Sequence, residues 1–365
     1  MENVEWGEFR IEDVLQWQSQ KEIDPLKIEE LKDEKEVIYP FYGQSTINNG
    51  IISYHQLTNN ILNNKNGNPT ILIHSNNQNI VYLETPFYLK DGHGATSVLQ
   101  SEELNNTNQM FIIASIDKVI KDKYSYNKKA TKIELKNTLI TLPIKNRKID
   151  FEFMENFITE LEKERMTKLE TYLSVSGLKD YILTKEEEQV LKDFEMGLIE
   201  FGEFTFENVF NKIVQGRRLT KDDQISGDIP FIMAGRGNTG VVNYISNPVA
   251  SFPRNSITID IFGNTFYRNF DFGAGDDTGV YWNNTKNYSK KAMLFISTAM
   301  EKSLFKQFDF GKKLRSSKSL NFKMKLPVYD NKPNYELMET LISAIQKQVI
   351  KDVVLYTDKK LNIAI

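Results

Sequence analysis

Three features of this sequence have the residue types needed for catalysis or metal binding. The three histidines are spaced 19 residues apart: His55, His74 and His93. This spacing lacks the i, i+4 pairing of a helical metal site. The glycine-rich segment 235–240 lacks the lysine and hydroxyl with which a phosphate loop holds phosphate and Mg²⁺. Asp276 and Asp277 follow a Gly-x-Gly turn, where aspartate usually caps its own turn. We therefore expect no catalytic residues and no metal site in this chain.

The length and composition of the chain exclude several kinds of site and of protein. The sequence has 365 residues, enough for two or three globular units, and it contains no cysteine. Disulfides, thiolate zinc sites, iron–sulfur clusters and thiol nucleophiles are thereby excluded. The first twenty residues lack a secretory pattern, and no apolar run approaches the roughly 20 residues needed to span a bilayer. A soluble cytoplasmic protein is expected.

Charge is segregated along the chain. The formal net charge is −3, but residues 286–325 hold eleven Lys or Arg against two acidic residues, a local balance of +9. Residues 152–195 are instead rich in glutamate. A local basic cluster can meet a phosphate backbone whatever the global sum, although any single charged run is also explained as a solvated surface.

The sequence contains an internal duplication. Residues 6–15 return as residues 201–210, an offset of 195. Further matches keep the same order at offsets of 190 and then 184: 50–54 with 240–244, 128–129 with 312–313, and 142–144 with 326–328. Chance matches would not stay collinear, so the chain is predicted to contain two copies of one structural unit.

Each copy begins with strand signals and ends with a helical pattern. The helical apolar residues recur at spacings of three and four: Met154, Phe157, Ile158 and Leu161, then Leu337, Met338, Leu341, Ile342 and Ile345. Thr184 and Glu187 form a capping box that predicts another short helix. The pattern predicts an α+β fold with two β-rich heads at 1–149 and 200–332. Helical segments are predicted at 150–199 and 333–365, packed antiparallel like a coiled coil and related by a pseudo-two-fold duplication.

Several motifs together resemble one family. They are Pro-Phe followed by Gly-hydrophobic-hydrophobic-x-Tyr, the strand Ser-Ile-Thr-Ile-Asp-Ile-Phe-Gly-Asn at 256–264, Gly-Ala-Gly-Asp-Asp at 273–277, and Leu-Pro-hydrophobic before each long helix. In this order, over essentially the whole chain, they resemble the specificity subunits of type I restriction–modification systems. They resemble the specificity subunits of type IIB systems equally well.

The resemblance implies a non-catalytic chain that works in defence against foreign DNA. Each head would be a target recognition domain for one half of a bipartite double-stranded DNA site. The helices would space the heads and dock two methyltransferase subunits. S-adenosylmethionine would be bound by those partners, which methylate adenine, while a restriction subunit or a fused nuclease domain cuts unmodified DNA. A helix from 152 to 173 would be about 31 Å long, close to the roughly 34–36 Å between half-sites one DNA turn apart.

Candidate base-reading residues lie in one loop of each head. Asn and Gln match adenine and Arg matches guanine, while a solvent-facing hairpin loop is the alternative explanation. The candidates are Gln44, Ser45, Thr46, Asn48 and Asn49 in the first head and Arg236, Asn238 and Thr239 in the second.

Candidate phosphate contacts are basic residues, several of them at matching positions in the two copies. They are Lys128, Lys129 and Lys132 in the first head and Lys312, Lys313, Arg315 and Lys318 in the second, with Arg217 and Arg218 as a further pair.

Two other classes of function stay open from the residues alone. One is a stand-alone DNA-modifying or DNA-cleaving enzyme, which would need a cofactor loop or acidic cluster that the sequence does not contain. The other is a tandem protein- or glycan-binding module, because asparagine-rich loops also suit glycans.

Overall fold

The computed structural model describes residues 4–125, 127–247 and 251–363. By its internal packing the chain divides into two compact units, the first ending at Lys168 and the second covering Leu169–Ile363. The outer bounds of the predicted segments, residues 1 and 365, lie outside the described residues. The four-part division into heads and helical segments remains a prediction.

The first unit contains eleven described strands in three sheets. In chain order they are β1 (Glu5–Arg10), β2 (Gln16–Trp17), β3 (Glu22–Ile23), β4 (Tyr39–Tyr42), β5 (Ile51–His55), β6 (Thr70–His74), β7 (Ile80–Leu83), β8 (Tyr88–Lys90), β9 (Thr96–Gln100), β10 (Leu139–Lys145) and β11 (Lys148–Ile149). The sheet orders are β1-β10-β11, β2-β9-β6-β7 and β3-β8-β4-β5. Only the last sheet mixes parallel and antiparallel pairs among the described residues.

The helices of the first unit are α1 (Ile11–Val14), α2 (Asn108–Lys123), α3 (Lys132–Lys136) and the first part of α4 (Phe151–Val175). Helix α2 has isoleucines at 112, 116 and 120, spaced by four, and all three are fully buried. They pack in one cluster with Ile71 and Ile73 of β6, so the helix covers one face of that sheet.

The second unit repeats this arrangement. Its described strands are β12 (Phe201–Thr205), β13 (Lys212–Gln215), β14 (Ser226–Ile232), β15 (Val241–Ile245), β16 (Ser251–Phe252), β17 (Ser256–Asp260), β18 (Thr265–Arg268), β19 (Phe272–Ala274), β20 (Thr278–Trp282), β21 (Lys323–Tyr329) and β22 (Lys332–Pro333). The sheet orders are β12-β21-β22, β13-β20-β17-β18 and β15-β14-β19-β16. The helices are α5 (Lys185–Glu195), α6 (Phe206–Val209), α7 (Lys290–Leu304) and α8 (Tyr335–Ile363).

The matching sheet orders confirm the predicted duplication and the α+β fold. In both units the buried central strand, β6 or β17, pairs antiparallel with β9 or β20 and with β7 or β18. In both units the Pro-Phe strand, β4 or β14, pairs with the Gly-hydrophobic-hydrophobic strand, β5 or β15. The third sheet differs at its edge, where β3 lies parallel to β8 but β16 lies antiparallel to β19.

Both long helices begin in the same way. The Asp150 carboxylate accepts the Phe153 N–H at 2.9 Å, and the Asn334 side chain accepts the Leu337 N–H at 3.0 Å. These side chains satisfy N–H groups that have no partner inside the helix. One turn later Met154 and Met338 are fully buried, each in the core of its own unit. Each long helix is therefore anchored at its first turn on the preceding sheet.

Helix α5 packs on α8 in the second unit. The predicted capping box is confirmed, since the Glu187 N–H lies 3.2 Å from the Thr184 hydroxyl and the Thr184 N–H lies 2.8 Å from the Glu187 carboxylate. Lys347 of α8 lies 3.0 Å from Glu187 and 2.9 Å from Asp180. Leu191 joins Leu341 and Ala344 in a small apolar cluster. The ion pairs and this cluster fix the segment before β12 on the second long helix.

Among the described residues, no helix combines the length and the apolar character that a membrane span needs.

We expect the last residue of β6, His74, to make the stability of the first unit depend on pH. It is fully buried, its Nδ1 lies 3.0 Å from the Thr96 hydroxyl, and its Nε2 has no partner among the described residues. Burial lowers the pKa of His74 from 6.5 to about 4. Below about pH 6.5 the unfolded chain therefore binds a proton on the His74 imidazole, whereas the folded chain binds that proton only near pH 4. Folding stability should fall as pH drops through this window, by about 2 kcal/mol between pH 7 and pH 5.

Chemical denaturation at pH 7 and pH 5 tests this prediction. His74→Gln should lose about 2 kcal/mol less than the unaltered chain between the two pH values, because glutamine does not titrate. His93→Gln is the matched control, since the His93 side chain is 95% exposed. Equal pH dependence in the His74 variant and the unaltered chain would contradict the assignment.

Candidate nucleic-acid interface

In the second unit, the loop between β14 and β15 is closed by its own backbone. The Met233 N–H donates to the Gly240 carbonyl at 2.9 Å. Gly240 has φ +85°, and Asn238 and Thr239 have φ 44° and 52°. Two consecutive non-glycine residues in the left-handed region cost free energy, so contacts outside the loop must stabilise this conformation.

Two carboxylates hold the beginning of this loop. The Gly235 N–H donates to Asp260 at the end of β17, and the Ala234 N–H donates to Asp277 just before β20, both at 3.0 Å. These strands form the neighbouring sheet, so the loop is fastened to an element other than its own strands.

A buried guanidinium holds the other end of the loop. Arg268 is 1% exposed, and its Nη1 donates to the Thr239 hydroxyl while its Nη2 donates to the Thr239 carbonyl. Its Nε donates to the Thr258 hydroxyl at 3.0 Å. Burial lowers the pKa of Arg268 to about 10, which leaves it charged at neutral pH. The polar groups of Thr239 are therefore used inside the unit.

The other two base-reading candidates of this loop are exposed. The Nε of Arg236 donates to the Asn264 Oδ1 at 2.7 Å. The Asn238 amide makes a longer contact of 3.3 Å with the Val241 carbonyl. Both side chains lie at the surface of the unit.

The first unit builds an equivalent loop between β4 and β5. The Gly43 N–H donates to the Gly50 carbonyl at 2.9 Å, as Met233 does to Gly240. Asparagines of the turn after β6 hold this loop, because Asn79 donates to the Ser45 carbonyl at 3.0 Å and Asn77 donates to the Gln44 carbonyl at 3.3 Å. Each loop is thus supported by the turn that follows the buried central strand.

Two of the five polar candidates in the first loop make side-chain contacts within it. The Ser45 hydroxyl accepts the Ile47 N–H at 3.1 Å, and the Asn48 amide lies 3.5 Å from the Ile51 carbonyl. Gln44 is half-buried, and its amide oxygen is buried without a partner in the described part of the chain. Thr46 and Asn49 are also exposed, and their side chains make no such contact with any described residue.

The predicted lysine pairs occupy the same place in both units. The Ala130 N–H, just after Lys128 and Lys129, donates to the Ser75 carbonyl at 3.1 Å. The Leu314 N–H, just after the second pair, donates to the Ile261 carbonyl at 2.9 Å. Since Ser75 and Ile261 are the first residues after β6 and β17, each pair lies beside the turn that supports the loop.

The individual lysines differ in their contacts. The ammonium groups of Lys312 and Lys313 lie 5.5 Å and 4.8 Å from the ring centres of Phe308 and Phe310. Lys128 and Lys129 are exposed. The Lys132 ammonium is instead 3.3 Å from the Gln20 side chain and half-buried.

Arginines extend the basic surface of the second unit. Arg315 Nη1 donates to the Asp276 carbonyl at 2.6 Å, and the Arg217 N–H donates to the Ala274 carbonyl at 2.9 Å. Both arginines therefore lie around the segment between β19 and β20. Arg218 follows directly and is exposed, and Lys318 is exposed at the end of the 3-10 helix Ser316–Lys318.

The nearby carboxylates are engaged by protein groups. Asp260 and Asp277 accept the loop N–H groups described above, and Asp277 also lies 3.1 Å from the Thr278 hydroxyl. Within the described ranges, no three His, Asp or Glu side chains are grouped as metal ligands.

The structure also shows exposed apolar residues on β5 and β15, the strands that follow the two loops. Tyr54 of β5 is 59% exposed and Tyr244 of β15 is 53% exposed. Ile52 and Val242, two residues before them, are also exposed. The sequence pattern Gly-hydrophobic-hydrophobic-x-Tyr indicates this exposure. Its second hydrophobic residue and its Tyr are two positions apart, so they lie on the same outward face of the strand.

The helical residues predicted for packing or partner contact fall into two groups. Met154, Ile158, Met338 and Leu341 are buried within their units, and Phe157, Leu337 and Ile342 are half-buried. Leu161 and Ile345, at equivalent positions 184 residues apart, are exposed. Ile345 also lines an apolar cavity of about 660 Å³ formed by α5, β12, β21, α7 and α8.

Comparison with known proteins relates this arrangement to one family. The family model of the type I restriction modification DNA specificity domain matches residues 3–171 and again residues 199–355. A curated relative, the type II restriction enzyme BgcI specificity subunit S.BcgI of Heyndrickxia coagulans, is 26% identical over 272 residues, covering 72% of this chain and 74% of the relative.

A solved structure shares the fold. The crystal structure of the type I restriction–modification system S subunit from M. genitalium aligns with a TM-score of 0.62 at 14% identity, covering 100% of this chain and 94% of that chain. The two family matches together cover most of the sequence. The chain therefore belongs to the type I restriction–modification DNA specificity domain family, with two copies of that domain in tandem.

Proposed function

We propose that this chain is the DNA-specificity subunit of a cytoplasmic restriction–modification complex. Each unit reads one half of a bipartite double-stranded site. The helical segments space the two readers and dock adenine methyltransferase subunits, with or without a restriction subunit. Catalysis and S-adenosylmethionine binding are assigned to those partners.

One observation carries this proposal. In both units a loop rich in polar residues and a pair of exposed lysines meet at the turn after the buried central strand. Base-edge donors and acceptors therefore lie next to phosphate-binding cations, the combination that sequence-specific DNA binding needs. The second unit adds Arg217, Arg218, Arg315 and Lys318 to this surface, whereas Lys132 of the first unit is a weaker candidate because Gln20 holds it.

The test of this function is co-expression with the adenine methyltransferase of the same restriction–modification system. The two proteins should co-purify, and the complex should methylate adenine in one split motif of genomic DNA. The methyltransferase without this chain should leave that motif unmethylated. Equal methylation with and without the chain would refute the proposal.

The lysine pair of the second unit should contribute affinity without sequence information. In Lys312→Gln/Lys313→Gln, two cations are lost, so the slope of log K against log salt should become shallower by about 1.8. Binding of the complex to the split-motif duplex and to an unrelated duplex, measured over a salt series, should weaken by similar factors.

The control for this prediction is Lys185→Gln/Lys192→Gln. Those lysines are exposed on α5, outside the sheets and their loops, so the salt slope should not change. A slope for the Lys312/Lys313 variant equal to that of this control would exclude the pair from the phosphate contacts.

The exposed apolar residues of the two long helices are proposed to contact the methyltransferase. Leu161→Glu or Ile345→Glu would place a charge in an apolar interface, so each single variant should retain one methyltransferase subunit where the unaltered chain retains two. The double variant should retain none. Mass measurement of the purified complexes by light scattering distinguishes these states.

Thr159→Glu adds the same charge at an exposed polar position of α4 and should leave the stoichiometry at two. Two methyltransferase subunits on the double variant would show that the partner docks elsewhere.

A further inference from the structure

One edge of the Arg236 guanidinium is fixed within the second unit. Its Nε donates to the Asn264 Oδ1 at 2.7 Å. In the described part of the chain, its Nη1 and Nη2 have neither a hydrogen-bond partner nor an ion pair, and the residue is exposed. The inner edge of the guanidinium is thus held, while its two outer nitrogens are free to bind a ligand.

The orientation of Asn264 follows from the carboxylate behind it. The Asn264 Nδ2 donates to Asp260 Oδ2 at 2.7 Å, and both residues are buried. An ionised carboxylate only accepts hydrogen bonds, so the amide must turn its NH₂ toward Asp260 and its oxygen toward Arg236. Asp260 therefore determines, through Asn264, which edge of Arg236 is held.

The loop backbone depends on the same carboxylate. Asp260 Oδ2 also accepts the N–H of Gly235, the residue directly before Arg236. Arg268 holds Thr239 at the other end of the loop. Since the backbone and the side chain of Arg236 share one anchor, the arginine loses little further conformational freedom when it binds.

Two adjacent N–H donors match a ligand with two adjacent acceptors. In the major groove guanine presents O6 and N7, both acceptors, whereas adenine presents one acceptor and one donor. We infer that Arg236 reads one guanine in the half-site of the second unit, and that Asn264 and Asp260 are its positioning residues. This inference rests on the proposed function and adds a base identity to it.

The described residues of the first unit form no equivalent arrangement. Thr46 occupies the position of Arg236, and His74 ends the central strand where Asp260 does. Asn79, at the position of Asn264, donates to the Ser45 carbonyl instead of accepting from a side chain. The inference therefore applies to one half-site only.

Methylation of duplexes that carry each base at every position of the motif tests this inference. With the unaltered complex, one position in one half-site should require guanine. Arg236→Lys keeps the charge but lacks both the Nε–H that Asn264 holds and the planar pair of outer N–H donors. Discrimination at that position should therefore fall by about 5-fold to 150-fold. Preferences at the other positions and the salt slope should not change.

Asn264→Ala tests the positioning role. Discrimination at the same position should fall at least about 5-fold, while the salt slope and the other preferences stay as they are. Arg254→Lys is the matched control for Arg236→Lys, because Arg254 is an exposed arginine of the same unit that pairs with Asp271 outside the loop. If Asn264→Ala does not fold, the exposed Arg236→Lys variant decides alone.

Three outcomes would overturn the inference while leaving the proposed function intact. They are a half-site of the second unit without a guanine, an Arg236→Lys complex with unaltered base preference, and an Arg236→Ala complex that loses affinity equally for all sequences. The last would identify a phosphate contact. An unaltered complex without any sequence preference would refute the proposed function itself.

Discussion

The candidate interface of the second unit depends on one buried carboxylate, that of Asp260. Its Oδ1 accepts the N–H groups of Phe262 and Asn264, and its Oδ2 accepts the Gly235 N–H and the Asn264 amide. A carboxylate buried without such donors would cost several kcal/mol, so the turn and the loop must both be in place for this strand end to be stable. The requirement to satisfy a buried charge is thus what shapes the loop.

The first unit holds its loop at the end of the central strand with different side chains. A neutral His74 takes the place of the carboxylate, and asparagine side chains of the following turn bond to the loop carbonyls. The sheets, the loop closure and the lysine pair are nevertheless equivalent in the two units. The strands and turns therefore fix the position of each loop, while exposed loop side chains such as Thr46 and Arg236 differ between the units.

The features that sequence could predict are local ones. The duplication, the helical apolar patterns that contain Met154 and Met338, and the capping box at Thr184 follow from patterns within a few residues or from their recurrence. The roles of Thr239 and Lys132 could not be predicted, because their partners Arg268 and Gln20 are distant in sequence and meet them only in the folded unit. For the same reason the loop candidates could be named from residue type, but not sorted into supporting and exposed side chains.

The acidic net charge is compatible with DNA binding because many of the carboxylates lie away from the candidate interfaces or bind protein N–H groups. Asp260 and Asp277 point their oxygens at loop N–H groups, and glutamates concentrate on α4 and α5. The exposed basic residues predicted as DNA contacts are unequally divided between the units. They are Lys128 and Lys129 in the first unit, against Arg217, Arg218, Arg236, Lys312, Lys313, Arg315 and Lys318 in the second. Because counterion release scales with the phosphates that are neutralised, the second unit should dominate the salt-dependent part of the affinity. We therefore expect the first unit, with polar loop side chains and fewer predicted phosphate contacts, to depend more on base contacts than on charge.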